Sequence, residues 1–323
     1  MCTAISFDGY NHYFGRNLDF EYDFGECVVV TPRRFPFEFT NGDSVSNHYA
    51  MIGMALTSDN YPLYFDATNE MGLSMAGLNF PDNAVYFKNM CDKDNVASFE
   101  FIPYVLCRCK DIDEARNLIK NINITDKAFS DAMKPSPLHW IIDDKNGSIT
   151  VEQTSSGLVI YDNPVGVLTN NPPFDFHITN LSNYLSVTSN EVTNRFSDKI
   201  SLVPHSRGMG GFGIPGDLSS SSRFVRAAFT KLNSVCPQSE VESVNQFFHI
   251  LYSVYQQKGS VKVGDSYEIT NYTSCCNASG GIYYYTTYNN FTVNAIDMYR
   301  QNLDEVFLYV FELNKTHNFN FQN

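Results

Sequence analysis

Met1-Cys2-Thr3-Ala4-Ile5-Ser6-Phe7-Asp8-Gly9-Tyr10-Asn11-His12-Tyr13-Phe14-Gly15-Arg16-Asn17-Leu18-Asp19 opens the chain. Asp8-Gly9 is a two-residue turn signal, so residues 2–7 and 10–17 are predicted to pair as a hairpin. With that turn Phe7 pairs with Tyr10, and Cys2 falls opposite Gly15, which leaves space over the thiol. Arg16, Asn17 and Asp19 then sit beside or just past Cys2. Removal of Met1, which a small second side chain permits, gives Cys2 both a thiol and a free α-amine. Such an amine has a pKa of about 7.7–8.0, suited to a general base near neutrality. A nucleophile served by its own amine is an alternative to a Cys–His pair. A cation beside a cysteine favours thiolate, and a carboxylate can hold and orient an α-ammonium. The same residues also read as an ordinary exposed hairpin end with an Arg–Asp pair.

Beyond the hairpin, strands are predicted at 25–31, 49–56, 62–67 and 72–78, followed by helices at 98–108 and 112–122. The second helix has Asp111 as N-cap and Glu114 three residues on, a capping-box pattern. Strands return at 138–143, 148–153, 158–161 and 165–169, broken by Asn146-Gly147, Gly157 and Pro164. Helices follow at 175–187, 222–233 and 240–257, and the tail gives strands at 267–274, 280–288, 291–298 and 305–313. Tight turns link most consecutive strands, so antiparallel pairing is expected to dominate. The plan is α+β, with sheets inside and helix pairs outside. No linker divides it, so residues 2–323 are expected to form one domain. Between 188 and 220 the chain is irregular and glycine-rich, as suits a functional segment or an assembly arm.

The 323 residues are 43% hydrophobic, enough for a large core, and the aromatic share of 15% suits strands or an apolar pocket. A net charge of −13 argues against nucleic acid and anionic membranes as partners. No stretch approaches the roughly 20 apolar residues of a membrane span, and the first residues lack a basic leader, so a cytoplasmic protein is expected. Of the eight cysteines, Cys107-x-Cys109 and Cys275-Cys276 lack the usual gap between zinc ligands, so neither metal nor cofactor is expected. The remaining thiols read as small buried apolar groups. None of the seven histidines lies in a motif resembling a Cys–His protease, and none is assigned to catalysis.

A series of motifs carries a resemblance. Met1-Cys2-Thr3-Ala4 and Phe14-Gly15-Arg16-Asn17-Leu18-Asp19 are followed by Asn69-Glu70 and Ala76-Gly77-Leu78-Asn79-Phe80. Then come Leu138-His139-Trp140, Val151-Glu152-Gln153-Thr154 and Val167-Leu168-Thr169-Asn170-Asn171-Pro172. Gly216-Asp217, Ser222-Arg223-Phe224 and Gly281-Ile282-Tyr283-Tyr284-Tyr285 complete it. In this order they resemble the choloylglycine hydrolase family of N-terminal-nucleophile (Ntn) amide hydrolases, which includes bile salt hydrolases and penicillin V acylases. Each motif is weak alone; the ordered series spans nearly the whole chain.

The resemblance implies a four-layer αββα sandwich and cleavage of an amide between an acyl group and a small amine. It implies Cys2 as nucleophile and, through its amine, as base. Arg16 matches the arginine beside the thiol, and Asp19 the carboxylate that holds the α-amine. Asn79 and Asn170 match oxyanion-hole residues, and Arg223 a second active-site arginine. Leu18, Phe24, Phe65 and Met133 match the apolar substrate pocket. Each position has a plain structural alternative: Asn79 and Asn170 as turn residues, Arg223 as a helix-surface group, and the pocket residues as core. Asn79, where penicillin V acylases more often carry Tyr, resembles the bile salt hydrolase version. Glycine- or taurine-conjugated bile salts are therefore the expected substrates, and a homotetramer the expected assembly. Acylase action on penicillin V or N-acyl homoserine lactones stays open, as does a non-enzymatic sterol or lipid binder, although binding needs no thiol at the chain start. Ser74 departs from the family run, where Gly is expected.

Overall fold

The computed structural model describes residues 1–323. The chain begins with β1 (Cys2–Asp8) and β2 (His12–Phe20). After β3 (Cys27–Thr31) comes a small hairpin of β4 (Phe37–Glu38) and β5 (Ser44–Val45). The meander β6 (Met51–Ser58), β7 (Tyr61–Asn69) and β8 (Ser74–Asn79) leads to β9 (Asp94–Ala97). Next are α1 (Phe101–Leu106), α2 (Ile112–Ile119) and β10 (Ile122–Thr125). β11 (Leu138–Asp144), β12 (Gly147–Thr154), β13 (Gly157–Asp162) and the two-residue β14 (Val167–Leu168) follow. After α3 (Phe174–Asn180), α4 (Ser220–Leu232) and α5 (Glu240–Tyr252) stand β15 (Val261–Val263), β16 (Ser266–Asn277), β17 (Ile282–Thr287), β18 (Asn290–Asp297) and β19 (Tyr309–Glu312).

Two antiparallel sheets dominate. One has the order β14-β1-β2-β16-β17-β18, with β15 on β16; the other runs β13-β12-β11-β8-β7-β6-β3-β19. The sheets face each other where β1 and β2 meet β8. Helices α4 and α5 cover the outer face of the first sheet, and α1 and α2 that of the second. This is the four-layer αββα sandwich. One apolar cluster fills the first sheet's surroundings, including the space between the sheets, and a second lies beneath α1 and α2. Burial of both faces explains why β1 and β2 show no alternation of apolar and polar residues.

The first hairpin differs from the two-residue turn predicted at Asp8-Gly9. Asp8 pairs with His12, so Gly9, Tyr10 and Asn11 form a three-residue loop. A type I′ turn needs positive φ at both central residues, and Gly9 is not among the positive-φ glycines. His12 Nδ1 instead meets Asp8 Oδ1 at 2.7 Å, and Tyr10 N–H donates to Ser243 Oγ of α5 at 2.9 Å. The register therefore places Cys2 opposite Leu18 and Gly15 opposite Ile5. Gly15 opens no space over the thiol. It admits β16: a Cβ there would stand 2.1 Å from the Ser274 carbonyl oxygen.

Other boundaries shift as well. Helix α2 stops at Ile119 because Ile122 starts β10, which pairs parallel with β9; neither strand was expected. Asp111 caps α2 by accepting from Glu114 N–H at 2.9 Å, but the Glu114 carboxylate accepts from Lys110 N–H, not from Asp111. Helix α5 ends at Tyr252, short of the expected 257, and the next residues turn onto β16, where Gln256 N–H donates to Thr270 Oγ1 at 2.9 Å. Ser74 is accommodated without strain: its hydroxyl meets Thr68 Oγ1 across β7–β8 at 2.8 Å. Between 188 and 220 the only helical turn is at Met209–Gly211, as the glycine content predicted.

Candidate active site

Cys2 begins β1, a strand hydrogen-bonded on both sides, and its residue is only 3% exposed. Directly opposite residues of an antiparallel pair point to one face. Cys2, Ala4, Arg16 and Leu18 thus look into the space between the sheets, while Thr3, Asn17 and Asp19 look toward the helices. With Met1 in place the Cys2 nitrogen is a peptide N–H, which donates to Asn170 Oδ1 at 2.8 Å.

Arg16 is completely buried. Its Nη1 donates to the carbonyls of Phe65 (3.0 Å) and Gly77 (2.5 Å), while Nη2 has no partner. Burial alone would lower its pKa, but Cys2, Tyr272, Asp66 and Asp19 outweigh that, and the guanidinium stays charged beside the thiol.

Asn170 follows the short β14 and is the hub of the site. Its Oδ1 accepts from Cys2 N–H and from Arg223 Nη2 at 2.7 Å; its Nδ2 donates to the Asn79 carbonyl at 2.6 Å. Arg223, buried on α4, also donates through Nη1 to the Cys2 carbonyl and to Thr3 Oγ1, and through Nε to the Leu218 carbonyl at 3.0 Å. The Asp217 carboxylate receives Ser219 N–H and Ser222 Oγ–H at the start of α4, which hold it down to about pKa 2. Asp217 thereby fixes the helix that delivers Arg223.

Asp19 is buried, and its carboxylate accepts from Thr270 Oγ1 at 2.6 Å and Gln256 Nε2 at 3.3 Å. Burial raises its pKa, with Arg223 and the terminal ammonium acting the other way. Its main chain, not its carboxylate, meets the chain start: Asp19 N–H donates to the Met1 carbonyl at 2.9 Å, and the Met1 ammonium donates to the Asp19 carbonyl at 2.7 Å. The carboxylate that receives the Met1 ammonium is Glu268.

The structure therefore gathers Cys2, Arg16, Asp19, Asn170 and Arg223 around one strand end. Asn79 joins through its carbonyl; its side chain makes no hydrogen bond within the chain. Leu18, Phe24 and Phe65 pack in the same cluster as Cys2, with Phe24 and Phe65 ring centres 5.4 Å apart. Phe20 and Tyr22 extend this aromatic collar. Met133 does not join the cluster: its segment packs through Phe129 against Tyr61 and Phe99 instead.

Two histidines left without a role support the hub. His139 bridges the Glu152 carboxylate and the Thr169 carbonyl, both at 2.9 Å, and stacks on Phe80. His177 Nε2 meets the Asn170 carbonyl at 2.9 Å, and burial lowers its pKa to about 4. The quoted runs around His139 and Glu152 were the available signal. In the Asn69-Glu70 run, by contrast, both residues hold the fold: Asn69 binds four main-chain groups, and Glu70 pairs with Arg33. All eight cysteines are unpaired thiols, and burial pushes Cys107, Cys109 and Cys276 up to about 12. No helix is long and apolar enough to cross a membrane.

A thiol on the chain's first strand, facing the space between two sheets of an αββα sandwich, with two buried arginines and an asparagine hub around that strand end, defines an Ntn-type amide hydrolase. Residues 2–311 match the family described as linear amide C–N hydrolases, choloylglycine hydrolase family. The chain belongs to this family and is a hydrolase of linear amide C–N bonds. It is 50% identical over 305 residues, 94% of each chain, to a bile salt hydrolase/transferase of Lactiplantibacillus plantarum. Identity is 38% to a Clostridium perfringens protein of the same description, over all of both chains. A crystal structure of conjugated bile acid hydrolase from Clostridium perfringens superposes with a TM-score of 0.92 at 38% identity, covering 100% of both chains. Penicillin V acylase from Agrobacterium tumefaciens, at 22% identity, shares the fold with a TM-score of 0.76, over 96% of this chain and 91% of that one.

Proposed function

We propose that the protein hydrolyses glycine- or taurine-conjugated bile salts to the free bile acid and the amino acid. The Cys2 thiolate adds to the amide carbonyl, and the C–N bond breaks as the leaving amine takes a proton from the α-ammonium. Water then hydrolyses the thioester, giving up its proton to the freed α-amine and regenerating the thiol. Arg16 favours the thiolate, Asp19 helps hold the α-amine, and Asn170 with Asn79 donates to the oxyanion. Arg223 orients Asn170 and the Cys2 main chain. The observation that carries the reading is Asn170, whose amide joins the Cys2 nitrogen, Arg223 and Asn79 in one set of contacts. Leu18, Phe24 and Phe65 offer an apolar wall for the sterol body, and the relatives named for bile salts support that substrate class over penicillin V.

The test is a panel of glycocholate, taurocholate, penicillin V and an acyl homoserine lactone, following amine release with and without a chelator. The conjugated bile salts are expected to turn over fastest, with no loss under chelation. The intact mass of active enzyme is expected to lack Met1; full activity from molecules that all retain Met1 contradicts the mechanism. A protein that binds bile salts but releases no amine is a binder.

Residues 2–323 then act as one unit in the cytoplasm, a reducing compartment that suits eight unpaired thiols. The 188–220 arm is assigned to assembly. Phe196, Val203 and Phe212 there are 83%, 82% and 89% exposed, apolar side chains that a neighbouring copy would cover. Light scattering is expected to give four chains of 36.6 kDa each. Phe196→Asp with Phe212→Asp is expected to lower that mass; a monomeric wild type contradicts the assignment.

A further inference from the structure

Glu268 lies on β16, two residues before Thr270, so both side chains project to the helix-facing side of the sheet. That is the side on which Asp19 is held. Glu268 is only 5% exposed, and its carboxylate accepts one hydrogen bond, from the Met1 ammonium. Excision of Met1 removes that partner and creates a new ammonium on Cys2, one residue along. A buried carboxylate is not left without a counter-charge. We propose that Glu268 is a second carboxylate of the working enzyme's α-amine, receiving the Cys2 ammonium's charge once Met1 has gone and so setting the pH at which that amine becomes a base. This rests on the reading of Cys2 as an N-terminal nucleophile.

The charges around this point balance. Asp19 on β2 and Glu268 on β16 are negative; Arg223 on α4 and the Cys2 ammonium on β1 are positive. Arg16 on β2 lies on the other face of the hairpin. Further out, Arg226 on α4 acts on Arg223, Asp217 before α4 acts on Arg226, and the Tyr255 phenol after α5 feels Asp19. Burial raises the Glu268 pKa, and the terminal ammonium and Arg223 oppose that, so the carboxylate depends on its cations. Asp19 is already satisfied by Thr270 and Gln256, whereas Glu268 has no hydrogen bond besides the ammonium's. Glu268 is a positioning and charge-setting residue; it touches neither the thiol nor the scissile carbonyl.

A carboxylate near an ammonium favours the charged form. Removing it must let the amine lose its proton at lower pH, so that it serves the thiol as a base at lower pH too. The test is Glu268→Gln in the full chain, with loss of Met1 verified by intact mass. The acidic limb of kcat/KM against pH is expected to move down by about one unit. Alkylation of Cys2 by iodoacetamide, read against pH by mass, is expected to move the same way and needs no substrate. It therefore reports on Glu268 even if the bile salt reading fails. Glu268→Asp keeps the charge, retracts it by one methylene, and is expected to move both profiles by less. A purely structural role would lower the melting temperature and leave both limbs in place. Unmoved limbs, in whichever variant folds, overturn the assignment.

Discussion

Cys2→Ala is expected to abolish turnover while the protein still folds and still binds conjugated bile salt. Cys2 is a small side chain in a large cluster, so its loss removes little packing. The thiol is the proposed site of bond formation, and no other group can take its place. His139 and His177 are committed to main-chain carbonyls, and Cys275 and Cys276 are completely or almost completely buried within the first sheet. A fall in kcat of ~10⁴-fold or more is expected, about 5.4 kcal/mol of barrier. Cys2→Ser separates a requirement for thiolate from one for a small polar group, because a hydroxyl is much the poorer nucleophile at neutral pH. It too is expected to lose nearly all turnover. Binding is expected to persist, since the apolar wall of Leu18, Phe24 and Phe65 does not depend on the sulfur. Circular dichroism checks the fold, equilibrium binding of glycocholate checks affinity, and single-turnover rates isolate the chemistry. If Cys2→Ala keeps more than about a tenth of the wild-type rate, a change of only about 1.4 kcal/mol, Cys2 is not the nucleophile.

The residues that touch Cys2 were readable from sequence in proportion to how local their signals are. Arg16 shares a hairpin with Cys2, and Asn170 and Arg223 each sit in a recognisable run. The hairpin's register was not readable, because what sets it is distant: Ser243 of α5 against Tyr10, and Ser274 against Gly15. A slip from a two- to a three-residue loop kept the strands but changed the residue facing Cys2 from Gly15 to Leu18. Glu268 was invisible for the same reason. Nothing near it in the chain distinguishes it from other acids, and its role comes from β16 lying beside β2. Short elements fared worst. The pair β9–β10 and the helix that stops at Tyr252 are decided by tertiary hydrogen bonds such as Gln256 to Thr270, which override local propensity. Met133 was placed in the pocket by resemblance alone, and it lies outside the apolar cluster that holds Cys2.

Asn170→Ala is expected to give the next largest loss, and the geometry says why one side chain matters so much. Its Oδ1 receives two donors, Cys2 N–H and Arg223 Nη2, so the amide orientation is fixed: turning it over would set donors against donors. The other end must then be the NH₂. One of its hydrogens goes to the Asn79 carbonyl. The second has no partner within the chain, and in the proposed mechanism it meets the oxyanion that forms when the thiolate adds to the amide. Loss of one such preorganised donor costs ~10²–10³-fold in kcat, about 3 kcal/mol. Alanine also strips the buried Arg223 of an acceptor, so some loss of thermal stability is expected beside the kinetic loss. Asn170→Asp separates the two effects. It keeps an oxygen for Cys2 and Arg223, so the melting temperature should recover in part, short of wild type because the second oxygen now faces the Asn79 carbonyl, but it offers no donor and brings negative charge to the oxyanion. Turnover should therefore stay as low as in the alanine variant, or fall lower. The decisive comparison is kcat at saturating glycocholate for both variants after thermal melts. If Asn170→Asp recovers activity along with stability, Asn170 serves only to hold Arg223 and the Cys2 main chain, and the oxyanion must be met by other donors.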